Sequence, residues 1–121
     1  MEFRLAGNGT HYTIDHITTN LMEGRFNNQG SLHSHPVFHL IYILEGKGKF
    51  TVGSVTTTAE PGMLYIISPN EPHRLLFGDG CPLNNLESTF RLLDASGEAV
   101  EVNFFDMMEE SGHPPVPETI R

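Results

Sequence analysis

Turn-forming residues recur along this chain at intervals too short for helices of ordinary length. Twelve glycines and eight prolines are spread through 121 residues, and β-prone runs fill the gaps between them. Tyr12 to Leu21, rich in threonine and isoleucine, is predicted as the first long strand, and Asn27-Asn28-Gln29-Gly30 as a polar loop. His39 to Leu44 follows as an apolar, β-branched strand. Glu45-Gly46-Lys47-Gly48 then reads as a hairpin turn, because its glycines can supply positive φ. Lys49 to Val52 and Val55 to Ala59 flank a turn at Gly53-Ser54. Met63 to Ile67 follows Pro61-Gly62, and Pro69-Asn70-Glu71-Pro72 is a rigid loop. His73 to Phe77, Leu86 to Leu93 and Val100 to Phe105 complete the expected strands, with one helical turn at Asp106 to Glu110. Strands this short and evenly spaced predict an all-β barrel or sandwich.

The length suits one domain, expected over residues 1–113, with the proline-rich 114–121 as a tail or linker. Fifteen acidic against seven basic residues give a formal charge of −8, which repels phosphate backbones and argues against nucleic-acid binding by this segment. The longest apolar runs, such as Met63 to Ile67, are far too short to span a bilayer. The N-terminus lacks the pattern of a secretory signal, and the single Cys81 forms no internal disulfide. A cytoplasmic setting is therefore expected.

Four of the seven histidines invite a geometric argument. His33 and His35 leave the same face of an extended chain, with Cα atoms roughly 6–7 Å apart. In a straight strand His39 would lie roughly 20 Å from His33, beyond any shared ligand. Pro36 favours a bend after His35, which lets His39 open the next strand and return toward the pair. His73 follows a separate proline-rich loop and joins them only through tertiary contact.

The pattern His33-x-His35-x3-His39-x6-Gly46 resembles the first sequence motif of the cupins, with histidine where that family usually carries glutamate. Gly62-x6-Pro69-x3-His73 resembles the second. The resemblance covers about residues 30 to 77 and implies a single-domain cupin barrel, a double-stranded β-helix or jelly roll. By that likeness the four metal positions fall on His33, His35, His39 and His73. An all-imidazole set leaves a divalent ion's charge uncompensated and favours zinc, nickel, copper or iron over magnesium or calcium. The other reading is a metal-free pocket in which the histidines hydrogen-bond an organic ligand.

A narrower resemblance lies in Leu40-Ile41-Tyr42-Ile43-Leu44-Glu45-Gly46-Lys47-Gly48, in the segment from Pro61-Gly62, and in Phe90-Arg91-Leu92-Leu93-Asp94. These look like the N-terminal sensing domain of AraC-type bacterial transcription regulators. That likeness implies a barrel binding a small-molecule effector, with DNA binding left to a separate domain that this chain stops short of. A homodimer is a further expectation, since barrels of this kind carry exposed strand edges.

Other residues take places by parity. Ile41 and Ile43 share the face of His39, while Tyr42 is expected to pack against a neighbouring layer. Leu75 and Phe77 share the face of His73 and form an apolar wall for a ligand. Arg91 fixes a carboxylate or sugar hydroxyl, unless it is a surface arginine. Two functions compete at this point: an effector sensor, and a metal-dependent enzyme such as a dioxygenase, isomerase or lyase. Against the enzyme stands the lack of any additional acid or base recognisable inside the barrel.

Overall fold

The structure, a computed structural model, describes residues 2–4, 11–24, 28–29, 32–77 and 83–110. The expected tail and Cys81 lie outside these residues. Among them the strands are β1 (Glu2–Arg4), β2 (His11–Gly24), β3 (Asn28–Gln29), β4 (Phe38–Glu45), β5 (Gly48–Val52), β6 (Val55–Ala59), β7 (Leu64–Ile67), β8 (His73–Phe77) and β9 (Leu83–Leu93), followed by the helix α1 (Phe104–Glu110). They form two antiparallel sheets, one in the order β1-β2-β9-β4-β7 and one in the order β3-β8-β5-β6. This is the all-β architecture of a cupin barrel.

Alternation on the strands divides the core in two. On β4, Ile41 and Ile43 point between the sheets and join Phe50, Ala59, Ile67 and Leu83. Phe38, on the opposite face of the same strand, packs with Leu92 and with Met107 of α1. The helix thus covers one end of the five-stranded sheet's outer face. Tyr42 lies on that outer face too, but no layer among the described residues covers it. It is 41% exposed and stands in one register row with Leu21, Leu86 and Leu64, all exposed.

Several expectations change. Asn28 and Gln29 are not loop residues; they pair with Phe77 and Leu76 at the edge of the second sheet. Glu45 to Gly48 is not a hairpin. β4 pairs with β7 and β9, whereas β5 pairs with β6 and β8, so this segment crosses between sheets. Gly46 takes φ 88° at the crossing. The glycines signalled a reversal of direction, and the partner strands decided which reversal it is. Val100 to Phe105 is not a strand: only the single bridge Leu93–Ala99 forms, and the helix then starts at Phe104. Asn103 wins that contest by capping the helix, its Oδ1 accepting from the N–H of Phe105 (2.9 Å) and Asp106 (3.0 Å).

Gly48 on β5 is closely approached by the backbone of its own sheet neighbour β8 and by a side chain of β9 in the other sheet. A Cβ there would sit 2.3 Å from the carbonyl oxygen of Leu76 and 3.0 Å from Leu83 Cδ1. Gly53, by contrast, has φ +61° with open space around it. Gly48→Ala is therefore expected to destabilise the fold by about 2–3 kcal/mol through backbone displacement, and Gly53→Asn by about 1 kcal/mol or less. Urea denaturation of both variants checks this, the first losing midpoint at unchanged slope.

Candidate metal centre

The histidine cluster is assembled from three separate stretches of backbone. His33 and His73 form a reciprocal antiparallel bridge, with His33 N–H donating to the His73 carbonyl at 3.1 Å and His73 N–H returning at 2.8 Å. A bridged pair projects its side chains to one side, and these two rings lie with centroids 4.4 Å apart. His35 follows two residues after His33, its ring 4.9 Å from that of His33. Its carbonyl accepts from Asn70 N–H at 2.6 Å, which ties the strand to the proline loop. The chain bends at Pro36-Val37, β4 begins, and the ring of His39 stacks on that of His35 at 4.8 Å and 7°. His39 and His73 are 5.5 Å apart.

The structure therefore brings all four rings together, but it treats them unequally. His33, His35 and His73 each offer a ring nitrogen within 4.8 Å of the others. Two nitrogens sharing one zinc ion would need to be roughly 3.4 Å apart, so small ring rotations would let this trio hold it. His39 stands outside this trio. Its Nδ1 is buried without a hydrogen bond and lies 3.2 Å from Glu87 Oε1 on β9, within ion-pair distance but poorly aligned.

Local contacts select the nitrogen that faces the centre. His73 Nδ1 donates to the Glu71 carbonyl at 2.9 Å, since a carbonyl can only accept. Its Nε2 is then the lone-pair atom, the state a metal needs. Glu71 also accepts from Ser68 N–H through Oε1 at 3.1 Å, which shapes the turn that delivers His73. Phe50 lies parallel to His73 and stacks on Tyr65, forming an apolar floor. Burial pushes His73 below the ordinary histidine value, and its neighbours His33, His39 and His35 push the same way. His35 is lowered by burial and then by His39 and His33, with Glu87 opposing. Glu87 is held below the usual carboxylate range, first by its contact with His39. The donor set is thus imidazole beside one carboxylate, and it fits a borderline divalent transition metal.

The other sequence-predicted site residues fall in different places. Ile41 and Ile43 are buried in the core below the cluster, and Leu75 packs against the same core from β8. Phe77 pairs with Asn28, its side chain lying outside the described residues. Arg91 is half exposed and committed elsewhere: Nε and Nη2 donate to Asp15 Oδ2 at 3.0 and 2.6 Å across the β2–β9 pair. It is placed as a cross-strand ion pair, not as a ligand clamp. The residue sequence reasoning missed is Glu87. It pairs with Ile41, two positions along β4 from His39, a diagonal that a long side chain spans.

Comparison with known proteins agrees with this fold. The cupin domain family matches residues 19–81, and the chain belongs to that family. Among solved structures it is similar to the polyketide cyclase RemF from Streptomyces resistomycificus, with 22% identity and a TM-score of 0.56 over 93% of this chain and 86% of that one. A cupin-2 domain protein from Rhodospirillum rubrum aligns at 18% identity and a TM-score of 0.56, over 88% of this chain and 72% of that one. A predicted oxalate decarboxylase from Thermotoga maritima aligns at 17% and 0.54, over 74% and 89%. Likenesses at these identities establish the fold alone. A search of curated proteins returns no match. No helix among the described residues is long and apolar enough to cross a membrane.

The lowered histidines carry a linkage consequence. In the unfolded chain they take up protons near pH 6.5, whereas the folded, metal-free cluster resists protonation. Stability from this source is complete above pH 6.5 and is lost as pH falls through the depressed folded values. Urea midpoints of the metal-stripped chain should drop between pH 7.5 and 5.5, and His73→Gln should flatten that drop.

Proposed function

We propose that this domain is the effector-binding sensor of an AraC-type transcription regulator, with a divalent transition metal held in the barrel as part of its ligand site. The carrying observation is the connection between the histidine cluster and the C-terminal segment. Asn70, whose backbone N–H is bound to the His35 carbonyl, donates through Nδ2 to Glu101 Oε2 at 3.1 Å. Ser68, at the end of β7, accepts through Oγ from Phe104 N–H at 2.8 Å and so holds the first residue of α1. Asn70 itself sits at φ 65°, a conformation asparagine tolerates better than most residues. A change at His35 or His73 is therefore felt within a few bonds by the helix that leads toward the remainder of the chain. The family wording around Leu40 to Gly48 and Phe90 to Asp94 supports the regulatory reading.

A sensor needs occupancy to favour one arrangement over another. The structure shows α1 docked on Phe38 and Leu92; in this reading the other arrangement is α1 loosened from them. In this reading the metal supplies a Lewis-acidic position for an oxygen- or nitrogen-bearing effector, and the protein's residues fix its place. A homodimer would carry the signal to paired DNA-binding domains.

A second reading, a metal-dependent enzyme, is favoured by one observation. Glu87 sits beside His39 within the barrel, the acid–base group that the sequence had not revealed. The cyclase and the predicted decarboxylase named above share this fold.

Elemental analysis of untagged protein purified without chelator tests the shared premise. About one metal ion per chain is expected, lost in both His33→Ala and His73→Ala. Hydrogen exchange with and without zinc then tests the sensor. Amides of Phe104–Glu110 should gain protection with zinc, and unchanged protection together with oxalate decarboxylation or oxygen consumption by the metal-loaded chain would favour the enzyme.

A further inference from the structure

We infer that Glu87 is the positioning residue of this centre: its carboxylate engages Nδ1 of His39, leaves Nε2 as the only ring nitrogen available to an incoming ion, and contributes the negative charge that an all-histidine set lacks. The inference rests on the metal reading and goes beyond it by assigning a role outside the histidines. Three observations carry it. His39 is 5% exposed, its Nδ1 has no hydrogen bond among the described residues, and Oε1 of Glu87 lies 3.2 Å from it. A buried ring N–H left unpaired is costly, so a small rotation of Glu87 into line is favourable whenever His39 is fixed by an ion. Secondly, His73 is already held in this manner by the Glu71 carbonyl at its own Nδ1. The cluster thus holds one ring from behind with a main-chain oxygen and has a carboxylate within reach to hold a second in the same way. Thirdly, the Glu87 side chain is 29% exposed and reaches the pocket from β9, a strand that provides none of the histidines. Its place in the fold is fixed by pairing with Ile41 and does not depend on the loop that delivers His73.

The consequence concerns which ion is held and how tightly. With His39 turned by Glu87, a fourth imidazole can close on an ion bound by His33, His35 and His73, and the carboxylate neutralises half of a divalent charge from beyond the ligand shell. Outer partners of this kind set metal affinity by about 10- to 100-fold.

Zinc affinity, measured by competition with a chromophoric chelator at pH 7.5, tests the assignment in the wild type, Glu87→Ala, Glu87→Gln, His39→Ala and the Glu87→Ala/His39→Ala double variant. Glu87→Gln preserves length and volume, so it reports on charge even if the alanine variant folds poorly. Glu87→Ala is expected to weaken zinc binding by about 10- to 100-fold, with Glu87→Gln between it and the wild type. Removing Glu87 should cost far less in the His39→Ala background than in the wild type, because a residue that acts mainly through His39 has little left to orient. Wild-type affinity in both Glu87 variants would overturn the inference, as would losses that multiply in the double variant, the signature of direct ligation or of an unrelated structural effect. If the folded wild-type chain binds no zinc at all, the metal reading itself fails and the role of Glu87 falls with it.

Discussion

The reciprocal backbone pair between His33 and His73 is the constraint on which the site depends. It joins the chain just before β4 to the first residue of β8, two segments forty residues apart in sequence. Because both hydrogen bonds are main-chain, the juxtaposition of the two rings does not rely on either side chain. His35 then follows by strand parity, and His39 by the bend at Pro36. Asn70 N–H on the His35 carbonyl holds the proline loop against this pair, and Ser68 N–H on Glu71 Oε1 shapes the loop itself. A site built on backbone pairing is positioned before any ligand arrives, so less of the binding free energy is lost to ordering it.

One residue of offset along β4 separates the chemistry from its mechanical support. His39 faces the cluster, and Phe38 beside it faces Leu92 and Met107 under α1. The same alternation puts Ile41 and Ile43 under the histidines and leaves Tyr42 in solvent. A strand that shifts to accommodate an ion at His39 must therefore also shift Phe38. Phe90, stacked on Phe38 at 5.3 Å, extends that contact into β9. Under the proposed sensor reading, the outer cluster would be a second route out of the pocket, parallel to the hydrogen bonds through Asn70 and Ser68.

Much of this was legible in the sequence, because it depends on local pattern. The alternating runs from Lys49 to Ala59 and from His73 to Phe77 specify their strands, and the spacing of four histidines around two prolines specifies a cluster. What was not legible depends on which strands become neighbours. Glu45 to Gly48 carries the glycines of a hairpin, yet its flanking strands belong to different sheets, and nothing within those four residues distinguishes the two outcomes. Val100 to Phe105 has strand propensity, but Asn103 supplies a cap and the apolar patch around Phe38 supplies a surface for a helix to cover. Arg91 could be assigned only once Asp15 was known to lie across from it.

Glu87 is the instructive case, since its own neighbourhood in sequence, Leu86 to Ser88, contains no signal of a site. It becomes functional through the pairing of β9 with β4, and a shift of one residue in that register would turn it to solvent. Histidine stands at position 39 where the motif it resembles usually carries glutamate, which leaves that motif without a carboxylate. The structure returns one from another strand, behind the histidine instead of in its place. The exchange has a chemical meaning: a carboxylate in the ligand shell gives a hard oxygen donor, whereas one placed behind an imidazole gives similar charge with a softer nitrogen at the ion. The sequence motif by itself therefore reports the donor atoms of such a site, and the strand that packs beside it reports the charge.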